Sequence, residues 1–288
     1  MKFKGCATAL ATPFKDGAVD YDAYAALVRR QVEGGVDFLV PLATTGETPT
    51  LSAEEKIGLL KITRENCGSL PLLVGCGSNS VPLTLANMEL CREYADAWLV
   101  VVPFYNKPTQ EGMYRYYKAV AAQSTKPVFI YNVPGRTGVN MLPQTCLRIA
   151  REVPGVVGIK EASGKLEQVA EIVKGAPEGF SVLSGDDDLT LEMIKLGASG
   201  VISVASNVVP DKVSAMVHAA MSGRGFEQAE ILDAKLQPLY KACFVESNPI
   251  PVKAALSLLG LCRAEMRLPL VEACDETVTL MTKCLNEL

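Results

Sequence analysis

The chain has 288 residues, of which 49% are hydrophobic, and a formal net charge of −4. That much apolar material fills one large α/β domain or two small ones and excludes a disordered chain. The acidic balance excludes a basic nucleic-acid footprint and leaves a small molecule as the expected partner. Nine cysteines (Cys6, Cys67, Cys76, Cys91, Cys146, Cys243, Cys262, Cys274, Cys284) are scattered in odd number without a C-x-x-C pair. They read as small buried hydrophobes of a reducing compartment, and disulfides are not expected.

The first apolar run, near 5–10, is short, is flanked by Thr12-Pro13-Phe14 and carries Thr8. It reads as a first strand with a turn, not as a secretory leader. A helical pattern at 21–33 follows, then a strand run at 36–41 that opens into Thr44-Thr45-Gly46-Glu47. Ser52 with Glu55 makes a capping box for a helix at 53–67. Strand runs then recur at 71–75, 97–102, 128–132, 156–160, 180–184 and 200–204. Helical segments follow them at 83–94, 112–124, 144–151, 166–173, 187–196 and 211–221, with Pro143 and Pro210 suited to first-turn positions. The strand runs are continuously apolar, not alternating, so both faces are buried, as in a parallel sheet covered by helices. Eight such units predict a (β/α)8 TIM barrel over residues 1–222. Residues 223–288 lack strand runs and predict a C-terminal helical extension of three helices, at 225–244, 251–259 and 269–287. No apolar stretch is long enough to span a bilayer, so the expectation is a soluble cytoplasmic protein.

Active sites of such barrels sit at the C-terminal ends of the strands. There the sequence places Thr44-Thr45-Gly46-Glu47, Tyr105, Tyr131, Lys160, Gly185-Asp186 and Ser203. Lys160 stands out among 17 lysines because it directly ends the apolar run Val156-Val157-Gly158-Ile159. Burial there penalises the ammonium and leaves a nucleophilic amine, able to form a Schiff base with a ketone. The plainer reading is a snorkelling side chain or one paired with Glu161. Its closest competitor, Lys253, falls inside a helix of the extension, where packing or an ion pair is expected. Tyr131 and Tyr105 are core aromatics on the plain reading, and Thr44-Thr45-Gly46 an ordinary turn. On the functional reading, hydroxyls at three strand ends form a proton relay, and the Thr45 and Gly46 amides receive a keto-acid carboxylate. Arg136, in Pro134-Gly135-Arg136-Thr137-Gly138 beyond Tyr131, is either a solvated loop arginine or a bidentate carboxylate ligand.

Other chemistries lack their residues. His218 is the only histidine and lies in a helical pattern, so neither a Ser-His-Asp triad nor a multi-histidine zinc site is available. Asp186-Asp187-Asp188 misses the spacing of a calcium loop and reads as acids opening a helix, so no metal is expected. Gly158 and Gly164-Lys165 miss the spacing of a P-loop, and Gly75-Cys76-Gly77-Ser78-Asn79-Ser80 lacks the third glycine of a dinucleotide fingerprint. No cofactor is expected.

Segments along the whole chain resemble the dihydrodipicolinate synthase and N-acetylneuraminate lyase family of class I aldolases. They are Thr8 to Phe14, Thr44 to Glu47, Pro103-Phe104-Tyr105-Asn106-Lys107-Pro108, Tyr131 to Thr137, Gly158-Ile159-Lys160-Glu161-Ala162, Gly200 to Val204, and Asn248-Pro249-Ile250-Pro251-Val252-Lys253. The resemblance implies a homotetramer assembled as a dimer of dimers and pyruvate bound to Lys160 as an imine. As an enamine it attacks L-aspartate-4-semialdehyde, the entry to diaminopimelate and lysine biosynthesis. It implies a relay of Tyr131, Thr44 and Tyr105, with Tyr105 reaching a neighbouring subunit's site. Arg136 holds the semialdehyde carboxylate, Thr45 and Gly46 seat pyruvate, and the Ile202 carbonyl, Gly185 and Asn248 line the pocket. Arg136-Thr137-Gly138 favours a synthase over a sialic-acid or 2-keto-3-deoxy sugar acid lyase, which remains the enzymatic alternative beside a non-catalytic keto-acid sensor. Lysine-inhibited members often carry His, Glu and Tyr where this chain has Ala53, Leu83 and Phe104, although Asn79 remains, so feedback by lysine is expected to be weak or absent.

Overall fold

The computed structural model describes residues 3–288. Eight strands form one parallel sheet: β1 (Gly5–Ala9), β2 (Phe38–Val40), β3 (Leu73–Gly75), β4 (Ala97–Val101), β5 (Val128–Asn132), β6 (Val156–Glu161), β7 (Ser181–Ser184) and β8 (Gly200–Ser203). Their order is β2-β1-β8-β7-β6-β5-β4-β3, so chain neighbours are sheet neighbours and the two end strands are themselves consecutive. Helices follow the strands in turn: Tyr21–Glu33, Ala53–Asn66, Val81–Cys91, Gln110–Ala121, Pro143–Glu152, Leu166–Gly175, Thr190–Lys195 and Pro210–Met221. This is the (β/α)8 barrel fold. The helices Glu227–Ala242, Ile250–Leu258 and Asp275–Asn286 complete the chain.

The strands are almost wholly buried, with only Gly75, Val101 and Val157 half-buried, because their apolar side chains face helices on one side and each other on the other. Capping sets the helix starts: Asp20 accepts from the Ala23 amide, and Ser52 and Glu55 form the reciprocal capping box. Pro143 and Pro210 open their helices, where a missing N–H costs nothing.

The structure departs from the sequence pattern in four places. A small hairpin, Phe14–Lys15 with Ala18–Val19, extends the turn after β1, with Asp16 (φ 54°) and Gly17 (φ 81°) both left-handed at its tip. The segment after Tyr131 forms a short helix, Pro134–Thr137, closed by Gly138 at φ 73°. The helix expected at 187–196 breaks into a 3-10 turn, Asp187–Leu189, followed by Thr190–Lys195. There the Ser184 and Thr190 hydroxyls donate to the Asp186 carbonyl, offering the backbone a local alternative to the helix. The last helix begins only at Asp275, after an extended Cys274, not at Pro269.

By contact density the chain divides into two compact units, one built on Pro71–Ile202, the other on Gly5–Leu70 with Ser203–Leu288. The first packs Phe3 edge-on against Phe129 at 5.5 Å and ties the Tyr117 hydroxyl to the Val100 carbonyl. The second has Ala11, Leu27 and Leu256 in its core and a buried hydrogen bond between the Tyr24 and Thr63 hydroxyls.

Candidate active site

Within the first unit, β5 and β6 pair so that Tyr131 lies opposite Lys160 and Asn132 opposite Glu161. Side chains alternate along a strand, so Tyr131 and Lys160 share one face, and Asn132 and Glu161 the other. Lys160 is 4% exposed, and its Nζ lies 4.5 Å from the centroid of the buried Tyr131 ring. A cation over that ring gains about 0.5–2 kcal/mol. Amine and phenol are thus brought together by strand register alone.

Glu161 faces away from Lys160 into a buried polar network. Its carboxylate accepts from the Ser163 amide (2.9 Å), Asn132 Nδ2 (3.0 Å) and Gln168 Nε2 (3.2 Å). Burial pushes this carboxyl up, and the same hydrogen bonds oppose the shift. Asn132 also donates to Asn140 Oδ1 at 2.9 Å and accepts from the Met141 amide at 3.0 Å, while Asn140 Nδ2 donates to Gln168. The network therefore fastens both ends of the loop that carries Arg136, which is itself exposed on the helix Pro134–Thr137. The sequence did not point to it; its one trace was two polar residues, Asn132 and Glu161, ending buried apolar strands.

Gly185 follows β7, and its amide donates to the Glu161 carbonyl at 2.8 Å. A Cβ there would lie 2.6 Å from Ala162 Cβ and 3.0 Å from Lys160 Cε, so only glycine leaves the lysine its present path. Asp186, the next residue, stands at the same strand end. Burial pushes its carboxyl up to about 6, opposed mainly by the nearby Lys160 ammonium. Ile202 is fully buried on β8. Tyr105 is 88% exposed and holds a left-handed φ of 69°, a strained backbone for an aromatic residue, so its ring does not pack within its own chain.

In the second unit, Thr44–Gly46 forms a 3-10 turn after β2. The Gly46 amide donates to the Ala43 carbonyl at 3.0 Å and the Glu47 amide to the Thr44 carbonyl at 3.1 Å, while Thr12 Oγ1 donates to the Gly46 carbonyl. A Cβ on Gly46 would stand 3.1 Å from the Leu10 carbonyl. The Gly46 amide, one of the two expected to receive a carboxylate, thus already closes the turn. Thr45 is buried and its Oγ1 accepts from Asn248 Nδ2 at 3.0 Å. Lys253 forms a buried ion pair with Glu47 at 2.7 Å, as expected of the competing lysine. His218 lies on the helix Pro210–Met221 and pairs with Asp37 at 2.8 Å.

Among the described residues no group of three or more His, Cys, Asp or Glu side chains is arranged to hold a metal ion. No helix among them is long and apolar enough to cross a membrane.

Comparison with known proteins bears on the whole chain. The 4-hydroxy-tetrahydrodipicolinate synthase of Thermotoga neapolitana is 48% identical over 290 residues, covering 99% of this chain and 98% of that protein. The crystal structure of dihydrodipicolinate synthase from Thermotoga maritima matches with a TM-score of 0.97 and 46% identity, over 100% of this chain and 99% of that one. A structure described as the first monomeric dihydrodipicolinate synthase variant matches with a TM-score of 0.97 and 46% identity, over 99% and 97% of the two chains. The model of the dihydrodipicolinate synthetase family matches residues 2–288, and the chain belongs to that family.

Proposed function

We propose that the chain condenses pyruvate with L-aspartate-4-semialdehyde to give 4-hydroxy-tetrahydrodipicolinate, in diaminopimelate and lysine biosynthesis. The observation that carries this reading is a buried lysine amine over a tyrosine ring on paired strands, in a chain similar end to end to 4-hydroxy-tetrahydrodipicolinate synthases. Lys160 attacks the pyruvate ketone, the carbinolamine loses water, and the resulting iminium gives up a methyl proton to become an enamine. The enamine carbon adds to the aldehyde. The substrate's own amine then attacks the imine carbon, closes the ring and releases Lys160. Every step moves a proton, and Tyr131, Thr44 and Tyr105 are assigned to carry it. No metal or organic cofactor takes part in this scheme.

Thr45 and Gly46 seat the pyruvate carboxylate, with the Thr45 amide and the turn's hydroxyls supplying donors, since the Gly46 amide is engaged with Ala43. Arg136 clamps the semialdehyde carboxylate, and its exposure suits a second substrate that arrives after the first is bound. Gly185, Asn248 and the Ile202 carbonyl are assigned to substrate binding. The working form is a homotetramer, a dimer of dimers, in which Tyr105 completes a neighbour's relay; its exposed ring on a strained backbone supports that assignment. The setting is the cytoplasm, where the nine cysteines remain thiols.

The test is turnover of purified protein with pyruvate and L-aspartate-4-semialdehyde, beside pyruvate release from N-acetylneuraminate. Condensation without sialic-acid cleavage supports the proposal. Cleavage without condensation makes the chain a lyase instead.

A further inference from the structure

Beside Lys160, Lys253 is the other buried lysine among the described residues, and it has no part in the scheme above. It lies on the helix Ile250–Leu258, is 0% exposed, and donates from Nζ to Glu47 Oε1 at 2.7 Å; Glu47 is 3% exposed. An ion pair buried this deeply brings little net stability, because desolvation offsets the attraction. Its use must be sought in what it holds.

What it holds is one corner of the Thr44–Gly46 turn. Glu47 closes that turn and opens the next, Thr48–Thr50, with φ 50° and ψ 34°, a left-handed conformation that disfavours a side chain. Glycine or asparagine would sit there more easily, yet a glutamate stands there with its carboxylate fixed on both oxygens. Oε1 takes Lys253, and Oε2 accepts from the Arg267 amide at 3.3 Å. Lys253 Nζ and the Arg267 guanidinium lie 4.2 Å and 4.4 Å from the centroid of the same Phe14 ring. The segment leading into the same helix supplies Asn248, whose amide donates to Thr45 Oγ1. The turn is therefore gripped at Thr45 and at Glu47 from a single helix and its lead-in.

We propose that Glu47 and Lys253 are positioning residues for the first substrate: the pair sets the geometry of the Thr44–Gly46 turn and keeps its surroundings electrically neutral for an incoming keto-acid carboxylate. This inference rests on the reading that the turn seats the pyruvate carboxylate. Losing the pair costs geometry in every variant. Losing Lys253 alone also leaves a buried negative charge beside the place where a second one must bind, so K253M should be the worst of the set.

The experiment measures the pyruvate concentration that half-saturates borohydride trapping on Lys160, together with pyruvate KM and kcat, in wild type, E47Q, K253M and E47Q/K253M. The double variant buries no unpaired charge, which keeps the test usable if K253M fails to fold. The expected result is a rise in pyruvate half-saturation on the order of tenfold in E47Q and the double variant, the scale of one lost hydrogen-bonded contact, and more in K253M. Trapping rate and kcat at saturating pyruvate should stay within about threefold, since the reacting groups are untouched. A double variant with wild-type pyruvate half-saturation, or one whose loss falls on kcat alone, overturns the inference. Wild-type protein that pyruvate and borohydride do not modify overturns the underlying substrate reading instead.

Discussion

Replacing Gly185 by alanine adds one methyl group directly against Lys160 and Ala162. The new Cβ would lie 2.6 Å from Ala162 Cβ and 3.0 Å from Lys160 Cε, both inside normal contact distance. Ala162 has no flexible end to swing away, and the Gly185 amide is held to the Glu161 carbonyl, so the lysine chain has to move. Overpacking of this kind costs about 1–3 kcal/mol. For a chain of this size each kcal/mol lowers the melting temperature by roughly 2–4 °C. The larger effect should be kinetic, because shifting a reacting group by even ~1 Å can cost about a hundredfold in rate. Two assays read these effects: thermal unfolding, and the rate of borohydride trapping of pyruvate on Lys160. A G185A protein that melts with the wild type and traps pyruvate at the wild-type rate would refute the claim that this glycine keeps the nucleophile in place.

R136A should leave pyruvate trapping unchanged and lower condensation on the order of a hundredfold, the scale of a lost bidentate charge-assisted contact, as read by kcat/KM for the semialdehyde. D186N tests the displaced carboxyl. Its folded value of about 6 lies above the ordinary 3.8, so the stability held by the protonated form is fully present below pH 3.8 and is lost as pH rises through 6. The displacement corresponds to about 3 kcal/mol at most, and unfolding profiles across that window should slope downward with pH in the wild type and flatten in D186N. Submillimolar lysine should leave the condensation rate unchanged, because Leu83, 57% exposed, and Phe104 offer a lysine ammonium or carboxylate no polar group; half-maximal inhibition in that range would contradict this.

The parallel strands were legible because burial on both faces leaves continuous apolar runs, and the helix starts because Ser52, Glu55, Pro143 and Pro210 carry local capping chemistry. Lys160 was legible for the same reason: a charge ending such a run is an exception that needs a cause. What stayed hidden depends on contacts distant in sequence. Glu161 takes its donors from Asn132 and Gln168, ordinary polar residues whose shared cluster exists only once β5 and β6 are in register. The broken helix after Asp186 depends on hydroxyls of Ser184 and Thr190 competing for one carbonyl, which apolar periodicity does not register. The grip of Lys253 on Glu47 spans 206 residues of chain, and the sequence offered the lysine's helix but not its partner.

The role of Lys160 as the nucleophile is tested most directly by intact mass after incubation with pyruvate and borohydride, followed by peptide mapping of the modified chain. One reduced pyruvyl adduct per chain is expected, located on Lys160 and absent from K160A. An unmodified chain, or an adduct mapped to Lys253 or any other lysine, would contradict it.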